Sequence, residues 1–197
     1  MFFSSFLCRC GFCKHRVIKG ILVLFVMAGL YAGALQLLGN FHTVLNGTLY
    51  RSGQPTAEQI AAYHARYGIQ TIVNLRGDNA GSPWYDQEVA ISQKLGIKHI
   101  DFRMSARKEL PQPRAEELIS LLRMAPKPLL VHCNGGADRS GLASALFIAA
   151  IAKKGEFAAE NQLSFRFGHV SIPYLSSSFA MDNTFEDLEP WLGFSGS

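Results

Sequence analysis

The hydrophobic pattern changes character near residue 40. Gly20 to Leu38 forms a 19-residue run without a charge, in which Tyr31 and Gln36 are the only polar side chains. At the helical rise this run spans roughly 28 Å, about one hydrocarbon thickness. It lacks the polar stripe of a helix packed on a soluble core. The pattern predicts a transmembrane helix over residues 20–38. Beyond it, short apolar runs alternate with amphipathic ones. Thr48 to Ser52 alternates like a strand, and Pro55-Thr56 and Gly68 bracket a helix. Ile69 to Leu75 is a β-branched strand closing on Arg76-Gly77-Asp78. A helix over 84–95, a strand over 97–104 and a helix over 111–124 follow. Lys127 to His132 is almost wholly apolar, as in a strand covered on both faces. Helices are expected over 140–153 and 156–167, and residues 176–197 read either as a last packed helix or as a frayed end. Strands alternating with helices predict an α/β fold with a mostly parallel central sheet flanked by helices.

Composition sharpens this picture. With 48% hydrophobic and 17% charged residues the chain is not disordered, and residues 41–197 suffice for one buried core. Residues 1–40 carry Arg9, Lys14, Arg16 and Lys19 and no acid, whereas 15 Lys/Arg meet 15 Asp/Glu from residue 41 onward. A neutral body has no polyanion footprint, so nucleic acid is not an expected partner. By the positive-inside rule, residues 1–19 form a basic cytoplasmic segment and 41–197 lie on the extracytoplasmic, periplasmic side of a single-pass protein. A cleaved signal ending at Ala32-Gly33-Ala34 is the rival reading. The apolar run outlasts a signal h-region and continues past that site, which favours an uncleaved anchor. Cys8, Cys10 and Cys13 precede the span, and Cys133 is the only cysteine of the body. The first three read as loose thiols or acylation sites rather than a metal site. A single thiol kept in an oxidising compartment points to reactivity.

The chemistry concentrates in His132-Cys133-Asn134-Gly135-Gly136-Ala137-Asp138-Arg139-Ser140, which joins a buried strand to a buried helix. Open α/β sheets place ligands at such turns. Gly135 and Gly136 allow backbone conformations in which successive N–H groups of residues 134–139 cradle an anion. The following helix adds its partial positive N-terminal charge, and Arg139 adds a planar fork that matches two phosphate oxygens. A cysteine in that cup is expected to ionise readily and to attack phosphorus. His132 would tune or orient it, and Ser140 would stabilise the sulfur as a leaving group.

This segment resembles the phosphate-binding loop of the cysteine-dependent protein tyrosine phosphatase superfamily. The body resembles the superfamily's atypical dual-specificity members of bacterial and fungal type, with Leu49-Tyr50-Arg51-Ser52-Gly53-Gln54-Pro55 as a second match. The resemblance implies Cys133 as nucleophile, Arg139 as phosphate clamp, and Asn134, Gly135, Gly136, Ala137, Asp138 and Arg139 as the cup. The reaction implied is phosphomonoester hydrolysis through a phosphocysteine, with no metal and no cofactor.

Family members supply the general acid as an Asp from the loop before the middle helix, but here that loop reads Ser105-Ala106-Arg107-Lys108-Glu109. Asp138 ranks first as donor, since the Asp-Arg-Ser ending resembles the myotubularin and Sac-type lipid phosphatases. Glu109 ranks second and Asp101 third. Arg51, Arg76, Arg103, Arg107 and Lys108 are candidate contacts for remote substrate phosphates, and Arg166 and His169 for packing against the loop. Phosphotyrosine or phosphoserine/threonine protein is the default substrate, and a phosphoinositide or inositol phosphate the main alternative. A rhodanese-type sulfurtransferase and a non-catalytic phosphate-binding module are the readings from other classes.

Overall fold

The computed structural model describes residues 6–173 and 175–194, with side chains from Arg16 onward. The side chains of Cys8, Cys10 and Cys13 lie outside the described residues. The chain divides into two units, parted between Leu37 and Leu38. The first holds the helix α1 (Phe6–Leu37). Its Arg16–Leu37 stretch has mean hydropathy 2.0 and is long and apolar enough to cross a membrane by length and composition. The helix starts earlier than residue 20, running back through the basic segment without a break.

The second unit is an α/β domain. In chain order it contains β1 (His42–Leu45), β2 (Leu49–Ser52), α2 (Ala57–Tyr67), β3 (Thr71–Asn74), α3 (Pro83–Leu95) and β4 (Lys98–Asp101). There follow α4 (Gln112–Met124), β5 (Leu129–His132), α5 (Asp138–Leu146), α6 (Glu156–Glu160) and α7 (Phe179–Leu192). The sheet order is β1-β2-β5-β3-β4, parallel except for the antiparallel edge strand β1. That edge strand was not foreseen, although Asn46-Gly47 between two apolar runs is a hairpin signal. β5 is central and fully buried, as its unbroken apolar run requires.

One apolar cluster packs α4, α5 and α7 on one face of the sheet, with Val131, Leu142, Phe147 and Phe185 at its heart. A smaller one on the other face joins Tyr50, Ile60, Ile72, Ile97 and Leu130. The C-terminal stretch therefore contributes a packed helix, and Met181, Phe185 and Leu188 are its buried stripe. α5 passes into a π-helical turn at Phe147–Ile151.

A further departure from expectation lies between α6 and α7. In place of one helix over 156–167, α6 ends at Glu160 and a single 3-10 turn forms at Phe165–Phe167. The break frees the Gln162 carbonyl to accept from Arg51 Nη1 at 2.7 Å and lets the Phe167 ring lie 4.3 Å from the Arg51 guanidinium. Satisfying a buried cation outweighs continuing the helix.

Strand register sets up the site. Ser52, His132, Asn74 and Asp101 stand side by side across β2, β5, β3 and β4, at the C-terminal ends of the parallel strands. Cys133 follows immediately.

Candidate active site

The loop from Cys133 to Ala137 is shaped by what grips its carbonyls. The Asn134 carbonyl accepts from the Gln54 N–H at 3.0 Å, and that of Gly135 from Asn40 Nδ2 at 2.8 Å. Arg51 Nη2 donates to the carbonyls of Gly136 at 3.0 Å and Ala137 at 2.7 Å. With four successive carbonyls held from outside, the intervening N–H groups turn to the other side, the geometry of an anion-binding nest. One of these, Gly136 N–H, donates to Cys133 Sγ at 3.3 Å, and Ser140 Oγ lies 3.5 Å from the same sulfur. Gly136 has φ +73°, and a Cβ there would stand 2.5 Å from the Gly53 nitrogen. No other residue fits that crossing.

Arg139 donates from Nη1 to the Leu75 carbonyl at 3.4 Å, while its Nε is a buried donor with no protein partner among the described residues. Cys133 is buried at the floor.

Arg51, a candidate contact for remote phosphates, is instead fully buried beneath the loop. Burial lowers its pKa to about 10, against the opposing pull of Cys133 and Asp138. Its guanidinium is a brace for the cup. Gly141 makes room for it, since a Cβ there would come within 3.1 Å of Arg51 Nη2.

His132 does not touch the sulfur through Nε2. That atom pairs with Oε1 of Glu88 at 2.8 Å, and the same oxygen meets His99 Nε2 at 2.8 Å. Oε2 of Glu88 accepts from Gln54 Nε2 at 2.6 Å. Burial pushes the Glu88 carboxyl up, but the hydrogen bonds from His132, His99 and Gln54 overrule it and hold the group at about 2. Glu88 was missed in the sequence. Its signal is a carboxylate on the inward stripe of α3 between Tyr85 and Ser92, where an unpartnered charge is too costly.

The three candidate acids separate clearly. Asp138 opens α5, and its Oδ1 pairs with His169 Nδ1 at 2.8 Å, while a third of its side chain stays exposed. His169 Nε2 pairs on its other side with Asp182 of α7 at 2.9 Å. Burial opposes the charge on His169, but the two carboxylates prevail and raise its pKa to about 9. His169 thus packs against the loop, as expected, and the Asp182 partner was not foreseen. Glu109 is exposed and accepts from Asn183 Nδ2 of α7 at 3.0 Å. Asp101 is tied down, accepting from Asn74 Nδ2 at 2.8 Å and from the Tyr85 hydroxyl at 2.5 Å. These bonds give Asp101 a structural place at the end of β4. Among the cations, Arg103 donates to the Asp78 carbonyl, Arg107 and Lys108 are exposed, and Arg166 lies 5.5 Å from the Phe167 ring.

A sequence model of the tyrosine phosphatase family matches residues 33–157, a span that includes the whole loop. The chain belongs to that family. It is a cysteine-dependent phosphatase with the dual-specificity-like fold of the superfamily's atypical members. The tyrosine phosphatase match is joined by a curated relative, the inositol diphosphatase SIW14 of Saccharomyces cerevisiae, 33% identical over 108 residues. That alignment covers 52% of this chain and only 36% of the relative. Among solved structures, TpbA of P. aeruginosa superposes with TM-score 0.60 at 20% identity, covering 78% of this chain and 91% of that one. The catalytic core of S. cerevisiae SIW14 superposes with TM-score 0.56 at 22% identity, covering 78% and 93%. At these identities the two structures show the shared phosphatase fold.

Proposed function

We propose that the chain hydrolyses phosphomonoesters through a phosphocysteine on Cys133. The observation that carries this reading is the sulfur lying on the floor of a nest whose carbonyls are all held outward. The phosphoryl oxygens bind the loop N–H groups and the Arg139 fork, whose buried Nε donor then finds an acceptor. The Cys133 thiolate attacks phosphorus, the S–P bond forms and the P–O bond to the alcohol breaks. The leaving oxygen takes its proton from the Asp138–His169 pair, Asp138 passing on the proton held at His169 Nδ1, 2.8 Å away. Water then attacks phosphorus and returns a proton to the Asp138–His169 pair, the S–P bond breaks, and Ser140 Oγ steadies the departing thiolate at 3.5 Å. The chemistry calls for no metal or cofactor.

For the substrate, a small phosphate-dense molecule of the inositol phosphate class has the support of the SIW14 relative. A phosphotyrosine or phosphoserine/threonine protein is the second reading, favoured by the family that the chain matches. Residues 20–38 would anchor the domain as a single pass with 1–19 cytoplasmic and the body of 41–197 periplasmic. Protease added outside spheroplasts checks that orientation by cutting, or sparing, the body.

The test offers para-nitrophenyl phosphate, inositol phosphates, phosphoinositides and phosphopeptides to the protein, with vanadate as inhibitor and Cys133→Ser as control. Cys133→Ser is expected to lose at least about 10³-fold in kcat. Turnover that survives it, or thiosulfate:cyanide exchange without phosphate release, overturns the assignment.

A further inference from the structure

The mouth of the cup holds two guanidiniums where phosphoryl transfer from a monoester needs one. Arg139 bonds the carbonyl of Leu75, and the next residue along that backbone is Arg76. Arg76 donates through Nη1 to Oε1 of Gln54 at 2.8 Å. Gln54 is itself fastened to the loop by its N–H on the Asn134 carbonyl and to Glu88 through Nε2. The Arg76 guanidinium lies 3.5 Å from the centroid of the Trp84 ring. An aromatic face and an amide oxygen therefore fix it, and both are neutral.

Among the described residues, Arg76 has no carboxylate within ion-pair distance. It is only partly buried, so it stays open to solvent. Burial and then the Arg139 cation lower its pKa, while Glu88 and the Cys133 sulfur oppose them. Two guanidiniums on the same stretch of backbone and loop, neither with a carboxylate at ion-pair distance among the described residues, repel one another in the unliganded protein. A ligand with two adjacent anionic groups offsets that repulsion, one group in the cup and the other on the free edge of Arg76. Two other candidate arginines are committed elsewhere: Arg103 is engaged by the Asp78 carbonyl, and Arg51 is sealed under the loop.

We infer that Arg76, set by Trp84 and Gln54, is a second anion subsite that selects substrates with a phosphate next to the scissile one, as in a diphosphate or a vicinal bisphosphate. This rests on the phosphatase reading of Cys133 and specifies the substrate for it.

The experiment compares inhibition of para-nitrophenyl phosphate hydrolysis by methylenediphosphonate and by inorganic phosphate, using the full chain in detergent. The wild-type protein is expected to bind the bisphosphonate at least about tenfold more tightly than phosphate. That ratio should fall to near one in Arg76→Ala and to an intermediate value in Arg76→Lys. Both inhibitors are read on one preparation, so the ratio does not depend on how much protein is folded. Trp84→Leu, which leaves Arg76 in the chain but removes its platform, should also lower the ratio and serves if Arg76→Ala fails to fold. A wild-type ratio near one, or a ratio unchanged in these variants, overturns the subsite while leaving Cys133 chemistry intact. Hydrolysis that persists in Cys133→Ser overturns the reading beneath it.

Discussion

Nε2 of His132 lies 2.8 Å from Oε1 of Glu88, and both side chains are fully buried. The residue before the nucleophile is thus fixed by a carboxylate from α3, 44 positions earlier in the chain. Removing one partner of such a pair leaves the other uncompensated, so Glu88→Gln is expected to cost about 3 kcal/mol near neutral pH. The folded pKa of about 2 lies below the ordinary 4.5. Stability from this group is therefore complete above about pH 4.5 and is lost as pH falls through about 2. Urea midpoints measured across that window should slope steeply in the wild-type protein and much less in Glu88→Gln.

His169 works with the opposite sign. Its pKa is raised from 6.5 to about 9 by Asp138 and Asp182 against burial. The stability it contributes is present below about pH 6.5 and is lost as pH rises through about 9. His169→Gln should unfold more readily than wild type at pH 6 and approach it above pH 9, as denaturant titrations at the two pH values would show.

Arg51 holds three backbone carbonyls at once. Arg51→Met keeps much of the volume and removes every donor. The expected cost is about 3 kcal/mol of stability. Without the brace the Gly136 and Ala137 carbonyls can turn inward, so phosphate release should fall further than the loss of folded protein explains. Activity per folded molecule, with the folded fraction read by circular dichroism, checks this.

Asp138→Asn separates the proton donor from a loop brace. With phenyl phosphate, whose leaving group is poor, kcat should drop by about 10²-fold or more. The fall in rate on the basic side should flatten, because the pair that holds the proton on His169 is broken. Para-nitrophenyl phosphate needs less help and should suffer less. A basic limb unchanged in Asp138→Asn would remove Asp138 from the role and leave Glu109 as the next candidate to mutate.

The apolar run of β5, the two glycines and the spacing from Cys133 to Arg139 lie close together along the chain, so local sequence was enough to determine a strand, a tight turn and a buried helix there. The charge-free run after Lys19 and the Pro55-Thr56 and Gly68 signals around α2 were legible for the same reason, each being a short-range pattern that favours a helix; the structure adds a capping box of Thr56 and Gln59. What the sequence did not reveal is which polar side chains face inward. Arg51 and Glu88 look like ordinary surface charges along the chain. Only the parallel pairing of β2 with β5 and the seating of α3 put them beneath the loop. The same holds for Asp182, which reaches His169 because α7 packs on the domain core. A buried charge is tolerated only with its partners in place. Because those partners come from distant elements, tertiary structure alone decided how the cup is braced and where Arg76 stands.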